Sequence, residues 1–139
     1  LEVNDDFDLN SFTLTLDTVN AGNSVLLSSS KGAIIGTGGI TKMGSGTLDI
    51  TGANTYSGAT ILNGGTTVIS NDTALGATTG NTTIGASGTL DLQNDITIAS
   101  GESLANSGNL LNAQDDNTYA GVISGTGTVF SAHSSQFQI

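Results

Sequence analysis

The chain has no cysteine, proline, tryptophan or arginine. Without cysteine there is no disulfide framework and no thiolate metal centre. Two lysines stand against twelve acids, for a net charge of −10. Lys31 and Lys42 cannot form a phosphate-tracking patch, so nucleic acid is not an expected partner. No apolar run approaches the roughly 18–20 residues that cross a bilayer, so no membrane insertion of this segment is expected. No secretory leader and no initiator methionine are visible, so the 139 residues read as a processed or excised piece. Their length suits one domain, 1–139.

What the chain has instead is small and polar. Gly, Ser, Thr and Asn supply about half of its residues. Such a composition can describe a flexible polymer, but the apolar residues argue otherwise. They fall in short bursts of period two: Phe12-Thr13-Leu14-Thr15-Leu16, Thr47-Leu48-Asp49-Ile50, Thr89-Leu90-Asp91-Leu92 and Asp95-Ile96-Thr97-Ile98. Alternation of this kind marks strands with one buried face. Gly, Asn, Asp and Ser between the bursts suit tight turns. No segment carries helical periodicity.

A phase marker recurs, in which a Gly precedes a short apolar strand. It stands at Gly22, Gly46, Gly65, Gly88, Gly108 and Gly127, with a mean step of about 21 residues. Ile61, Ile84, Leu104 and Ile123 lie four residues before their marker, with Thr18 and Lys42 in the same place in the other two coils. The pattern predicts a right-handed parallel β-helix of about six coils of ~21 residues, its strands stacked about 4.8 Å apart. The expected inward ladder is Leu48, Val68, Leu90, Leu110 and Val129. A one-residue slip at Gly64-Gly65 would bring Thr67 inward in place of Val68. An antiparallel sandwich also has frequent turns, but it has no reason to keep a 21-residue phase.

Residues 36–69 read GTGGITKMGSGTLDITGANTYSGATILNGGTTVI. This resembles the autotransporter-associated β-strand repeat, also called the passenger-associated transport repeat, through Gly36, Gly38, Ile40, Lys42, Gly44, Gly46, Thr47, Leu48, Asn54, Tyr56, Gly58 and Thr60. Gly88 and Leu90 repeat the start of the pattern. Residues 117–130, with Asn117, Tyr119 and Gly121, resemble a second partial copy, and 131–139 read as a tail or end cap. The resemblance implies a β-helical passenger at the bacterial cell surface, or secreted after cleavage. It implies a non-enzymatic stalk or adhesin that shows loops to protein or glycan ligands on host or sister cells. A self-assembling fibre subunit and a secreted effector for a host receptor are the alternatives, and terminal coils could self-associate.

The candidate chemistry is thin. Asp49 and Asp91 occupy one phase on the outer face, about 10 Å apart by two strand spacings, but no cation supports a glycosidase reading. His133 stands alone in the tail. The glycine-rich stretch 36–46 lacks a phosphate-loop pattern, and no helix follows it. Asp5, Asp6 and Asp8, and Asp115 and Asp116, make oxygen-rich loops that suit Ca²⁺, though a solvated acidic loop explains them as well. Tyr56 and Tyr119 could stack on a sugar; the repeat suggests that they pack over a corner. A water-ordering face would need a repeated T-x-T, and Thr13 and Thr15 find no counterpart in later coils. Sequons at Asn71 and Asn81 are short enough to arise by chance.

Overall fold

The computed structural model describes residues 5–28, 32–112, 114 and 116–132. Lys31, Asp115 and His133 lie outside the described residues. In chain order the strands are β1 (Phe7–Asp8), β2 (Leu14–Asp17), β3 (Ser24–Leu27), β4 (Ile34–Ile35), β5 (Ile40–Met43), β6 (Thr47–Ile50) and β7 (Thr60–Ile69). They continue as β8 (Thr82–Leu92), β9 (Thr97–Ile98), β10 (Ser103–Asn106), β11 (Asn109–Asn112), β12 (Thr118–Tyr119), β13 (Val122–Gly125) and β14 (Thr128–Ser131). Every pairing among them is parallel, and no helix occurs among the described residues. Parallel neighbours cannot be joined by a hairpin. Here the rest of each coil forms the crossover, and the chain is a β-solenoid.

One long face stacks β2, β5, the start of β7, the start of β8, β10 and β13. Its inward rank runs Leu14, Ile40, Thr60, Thr82, Leu104, Ile123, so six rungs enclose five full turns. The second long face stacks β3, β6, the ends of β7 and β8, β11 and β14, with the inward rank Val25, Leu48, Thr67, Leu90, Leu110, Val129. A third side carries the short pairs β1–β4 and β9–β12. The core is a file of Leu and Ile with two tyrosines. Each fully buried Leu or Ile contributes roughly 1.5–3 kcal/mol through removal from water.

The marker glycines recur because backbones meet there. A Cβ at Gly88 would collide with the Leu62 carbonyl oxygen of the preceding coil. Gly65 pairs with Gly88, so the glycine phase holds through the third coil. The corner before Gly65 is one residue shorter than the same corner in its neighbours. Thr67 comes five positions after Leu62, whereas Leu90 comes six after Ile84 and Leu48 six after Lys42. Gly65 takes the tighter bend with φ of 65°. The expected ladder is therefore corrected at one rung: Thr67 is buried and Val68 faces outward between Asp49 and Asp91. The residues at the second phase marker fall in different ranks of the stack. Ile61 points outward beside Thr83, Lys42 and Ile84 lie on either side of Leu62 in one rank, and Leu104 and Ile123 share another. Lys42 stacks between Leu16 and Leu62, while Thr18 lies beyond the end of β2.

Candidate functional surface

Most of the residues that carry the repeat pattern point into the coil or seal its corners, whereas Thr47 faces outward. Leu48 and Leu90 are fully buried on the second face. Asn54 sits inside a corner and ties three coils together. Its side-chain carbonyl accepts the Ile34 amide at 3.0 Å, and its amide donates to the Ala74 carbonyl at 2.9 Å. Asn117 repeats the device: it accepts the Ile96 amide at 2.9 Å and donates to the Leu92 carbonyl at 2.9 Å and the Asn112 side-chain Oδ1 at 2.8 Å. Gly46, Gly58 and Gly121 each lie against backbone of the preceding coil, where a side chain would meet Asn23, Gly38 and Glu102 respectively. Tyr56 and Tyr119 are both buried, so neither ring offers a stacking platform to a sugar.

Lys42 is wholly buried, and its ammonium donates to the carbonyls of Met43, Gly44 and Gly64 at 2.8, 3.1 and 3.0 Å. Three N–H bonds meet three acceptors, two on its own corner and one on the next coil. Burial lowers its pKa from the ordinary lysine value, and the nearby Asp17 carboxylate partly restores it. A side chain so committed is a corner clamp. The sequence points to Lys42 as part of the pattern but does not reveal that it is enclosed.

Glu102 escaped the sequence reading. It is buried, and its carboxyl accepts the Thr82 hydroxyl at 2.7 Å. Burial raises its pKa, and the bond from Thr82 opposes the rise. Tyr56 and Tyr119 are raised as well, by burial first and by the charge of Glu102 in addition. Thr60 and Thr82 are adjacent in the inward rank of the first face. Tyr56, Thr60, Thr82, Glu102 and Tyr119 therefore form a polar seam inside the apolar file. The only hint in the sequence is that Thr60 and Thr82 hold the phase of Ile40 and Leu104.

The outer surface carries what a partner can reach. On the second face the outward rank Ser24, Thr47, Thr66, Thr89, Asn109 and Thr128 presents hydroxyl or amide groups in six successive rungs. Beside it runs Leu26, Asp49, Val68, Asp91, Leu111 and Phe130. On the first face Thr15 does have a counterpart, since it pairs with Thr41. The phase of Thr13 holds Gly39 in the next coil, so the T-x-T pair itself has no counterpart there, as expected.

The acidic loops use their oxygens on the protein itself. Asp6 accepts the Ala33 amide at 2.9 Å, Asp8 the Asn10 amide at 2.7 Å, and Asp5 the Asp6 amide at 3.2 Å. Asp116 donates its own amide to Asp95 at 2.9 Å, and Asp72 accepts the Thr97 amide at 2.7 Å. Among the described residues no group of three or more His, Cys, Asp or Glu side chains is placed to hold a metal ion.

A parallel stack of coils whose pattern residues clamp its corners defines a β-solenoid repeat protein. The family profile of the passenger-associated transport repeat matches residues 40–69, and the chain carries that autotransporter repeat. Over 101 residues, 73% of its length, the chain is 36% identical to the adhesin BmaC autotransporter of Brucella suis biovar 1 (strain 1330). The matched stretch spans 2% of that adhesin. No solved structure matches the chain.

Proposed function

We propose that this segment is a non-enzymatic stalk of a passenger displayed outside the bacterial cell, which holds its outward ranks and corner loops toward protein or glycan ligands on host or neighbouring cells. One observation carries the reading: most of the repeat residues are spent on the interior. Asn54, Tyr56, Lys42 and Leu90 are all buried, so an outside partner meets the outward ranks and the corner loops instead. The rod is acidic, with a net charge of −10, which supports solubility and self-repulsion on a crowded surface. The similarity to an autotransporter adhesin supports both the location and the adhesive role.

The test is adherence of a non-adherent bacterium that displays the segment within a passenger. Paired substitution of Asp49→Ala and Asp91→Ala, both outward, is expected to reduce binding at least fivefold with an unchanged circular dichroism spectrum. Full adherence after deletion of the whole segment would make it a spacer alone.

A further inference from the structure

We propose that Asn63 is a self-modifying site: in the folded chain its side chain closes onto the backbone nitrogen of Gly64 and converts to aspartyl and isoaspartyl products. Of all the asparagines, Asn63 alone is followed by glycine. Attack by the following amide nitrogen is easiest before glycine, which has no Cβ to obstruct the approach. Asn10, Asn23 and Asn106 precede serine and come next on this ground.

The fold leaves the reacting pair open. Asn63 is exposed, and its side chain forms no hydrogen bond among the described residues. Ladder pairing with the preceding coil ends at Leu62, and pairing with the following coil passes from Leu62 to Gly64. Asn63 is thus a corner residue that neither ladder holds. Across the coil it faces Gly85, so no side chain there restrains its amide. By contrast, Asn54, Asn106 and Asn117 spend their amides on backbone carbonyls inside the corners.

The reaction needs only water. The Gly64 nitrogen bonds to Cγ of Asn63 as the bond from Cγ to Nδ2 breaks, and ammonia leaves with the proton that the Gly64 amide gives up. The intermediate is a five-membered succinimide. Water then opens one of its two carbonyl–nitrogen bonds. Opening at Cγ gives an aspartyl residue with the backbone unchanged. Opening at the main-chain carbonyl gives an isoaspartyl residue, whose chain runs through Cβ and Cγ and is one atom longer. Nothing is oxidised or reduced, and each product carries one more negative charge.

The longer backbone matters here because the corner is short. Gly65 already takes the bend with φ of 65°. The Gly64 carbonyl accepts the Lys42 ammonium at 3.0 Å, the one clamp bond that crosses to the next coil. An added backbone atom just before Gly64 displaces that carbonyl. The buried ammonium then keeps two acceptors, both on its own corner, and a buried donor left unpaired is destabilising. The site is a clock that loosens the joint between the second and third coils. The inference stands on this corner and does not depend on the adhesive reading.

The test is to age the folded 139-residue chain in mildly alkaline buffer and to map its peptides by mass and by isoaspartyl-specific methylation. A one-dalton gain at Asn63 is expected at least tenfold ahead of every other asparagine. Asn63→Gln, whose longer side chain must close a six-membered ring, should remove it. The isoaspartyl form, once separated, should melt below both the parent and Asn63→Asp, which has the same charge on an unaltered backbone. Conversion led by another asparagine would overturn the proposal. So would a folded chain that stays intact at Asn63 while the urea-unfolded chain converts, because the corner would then protect the site. An isoaspartyl form as stable as Asn63→Asp would overturn the link to the Lys42 clamp.

Discussion

The Tyr56 hydroxyl lies 2.7 Å from the Thr60 hydroxyl, whereas the buried Tyr119 hydroxyl has no hydrogen-bond partner among the described residues. The same motif, N-T-Y-x-G, thus produces one satisfied phenol and one orphan. A net hydrogen bond is worth about 0.5–1.5 kcal/mol, and an unsatisfied buried hydroxyl costs about 1–3 kcal/mol. Tyr56→Phe should therefore destabilise the protein by about 1 kcal/mol, and Tyr119→Phe should stabilise it by a similar amount. Urea unfolding of the two variants beside the parent checks the sign of each change. If both fall on the same side, the two sites are not distinguished by their hydroxyl partners.

How much of this was legible follows from what period two can encode. Alternation shows which of two faces a residue takes, and the glycine phase shows where a coil begins, so Leu48, Leu90 and Leu110 were readable as one rank. Neither signal measures the length of a corner. At Gly65 the corner loses one residue, and apolar preference favours Val68 where the pairing selects Thr67. The polar seam was hidden for a different reason. Glu102 and Lys42 are residue types that normally face water, and only stacking brings Thr82 and the carbonyls of Met43, Gly44 and Gly64 to them. The inward use of Asn54 was likewise invisible, because its partners Ile34 and Ala74 are each 20 residues away.

Thr67 offers a direct check of the corrected rung. Its hydroxyl is buried between Leu48 and Leu90 and has no hydrogen-bond partner among the described residues. Valine has nearly the same shape and no polar atom to desolvate. Thr67→Val should raise stability by about 1 kcal/mol. Thermal unfolding would reveal the gain, and a loss would mean that this hydroxyl is satisfied.

Glu102 should make the stability fall with rising pH. Its pKa in the folded protein is raised above the ordinary value of 4.5. Below about 4.5 the carboxyl is protonated in both folded and unfolded chains, and the burial penalty is absent. As pH rises through the window between the ordinary value and the raised one, the unfolded chain releases a proton that the folded chain retains, and stability is lost. Glu102→Gln keeps an acceptor for Thr82 and removes the ionisation. The variant should match the parent near pH 4 and exceed it in melting temperature near pH 7. Parallel curves for the two proteins across that range would show that Glu102 titrates normally.

The solenoid register itself is tested by two neighbours on β8. Leu90 is fully buried, stacked on Thr67 and Leu110. Asp91 follows it on the opposite side of the strand, half-buried, and accepts a bond from the Gln93 amide at 2.9 Å. Leu90→Asp would enclose a carboxylate with no cation within the apolar file, where ionisation is penalised and the Thr67 hydroxyl is the one donor stacked beside it. The cost should reach several kcal/mol and leave the chain largely unfolded at room temperature. Asp91→Ala removes only a bond at the surface and should change stability by no more than about 0.5 kcal/mol. Because side chains alternate with a period of two, a slip of one residue would exchange the two outcomes. Urea midpoints for the pair therefore read the register directly: a severe loss at Asp91 with a mild one at Leu90 would place β8 one residue out of step.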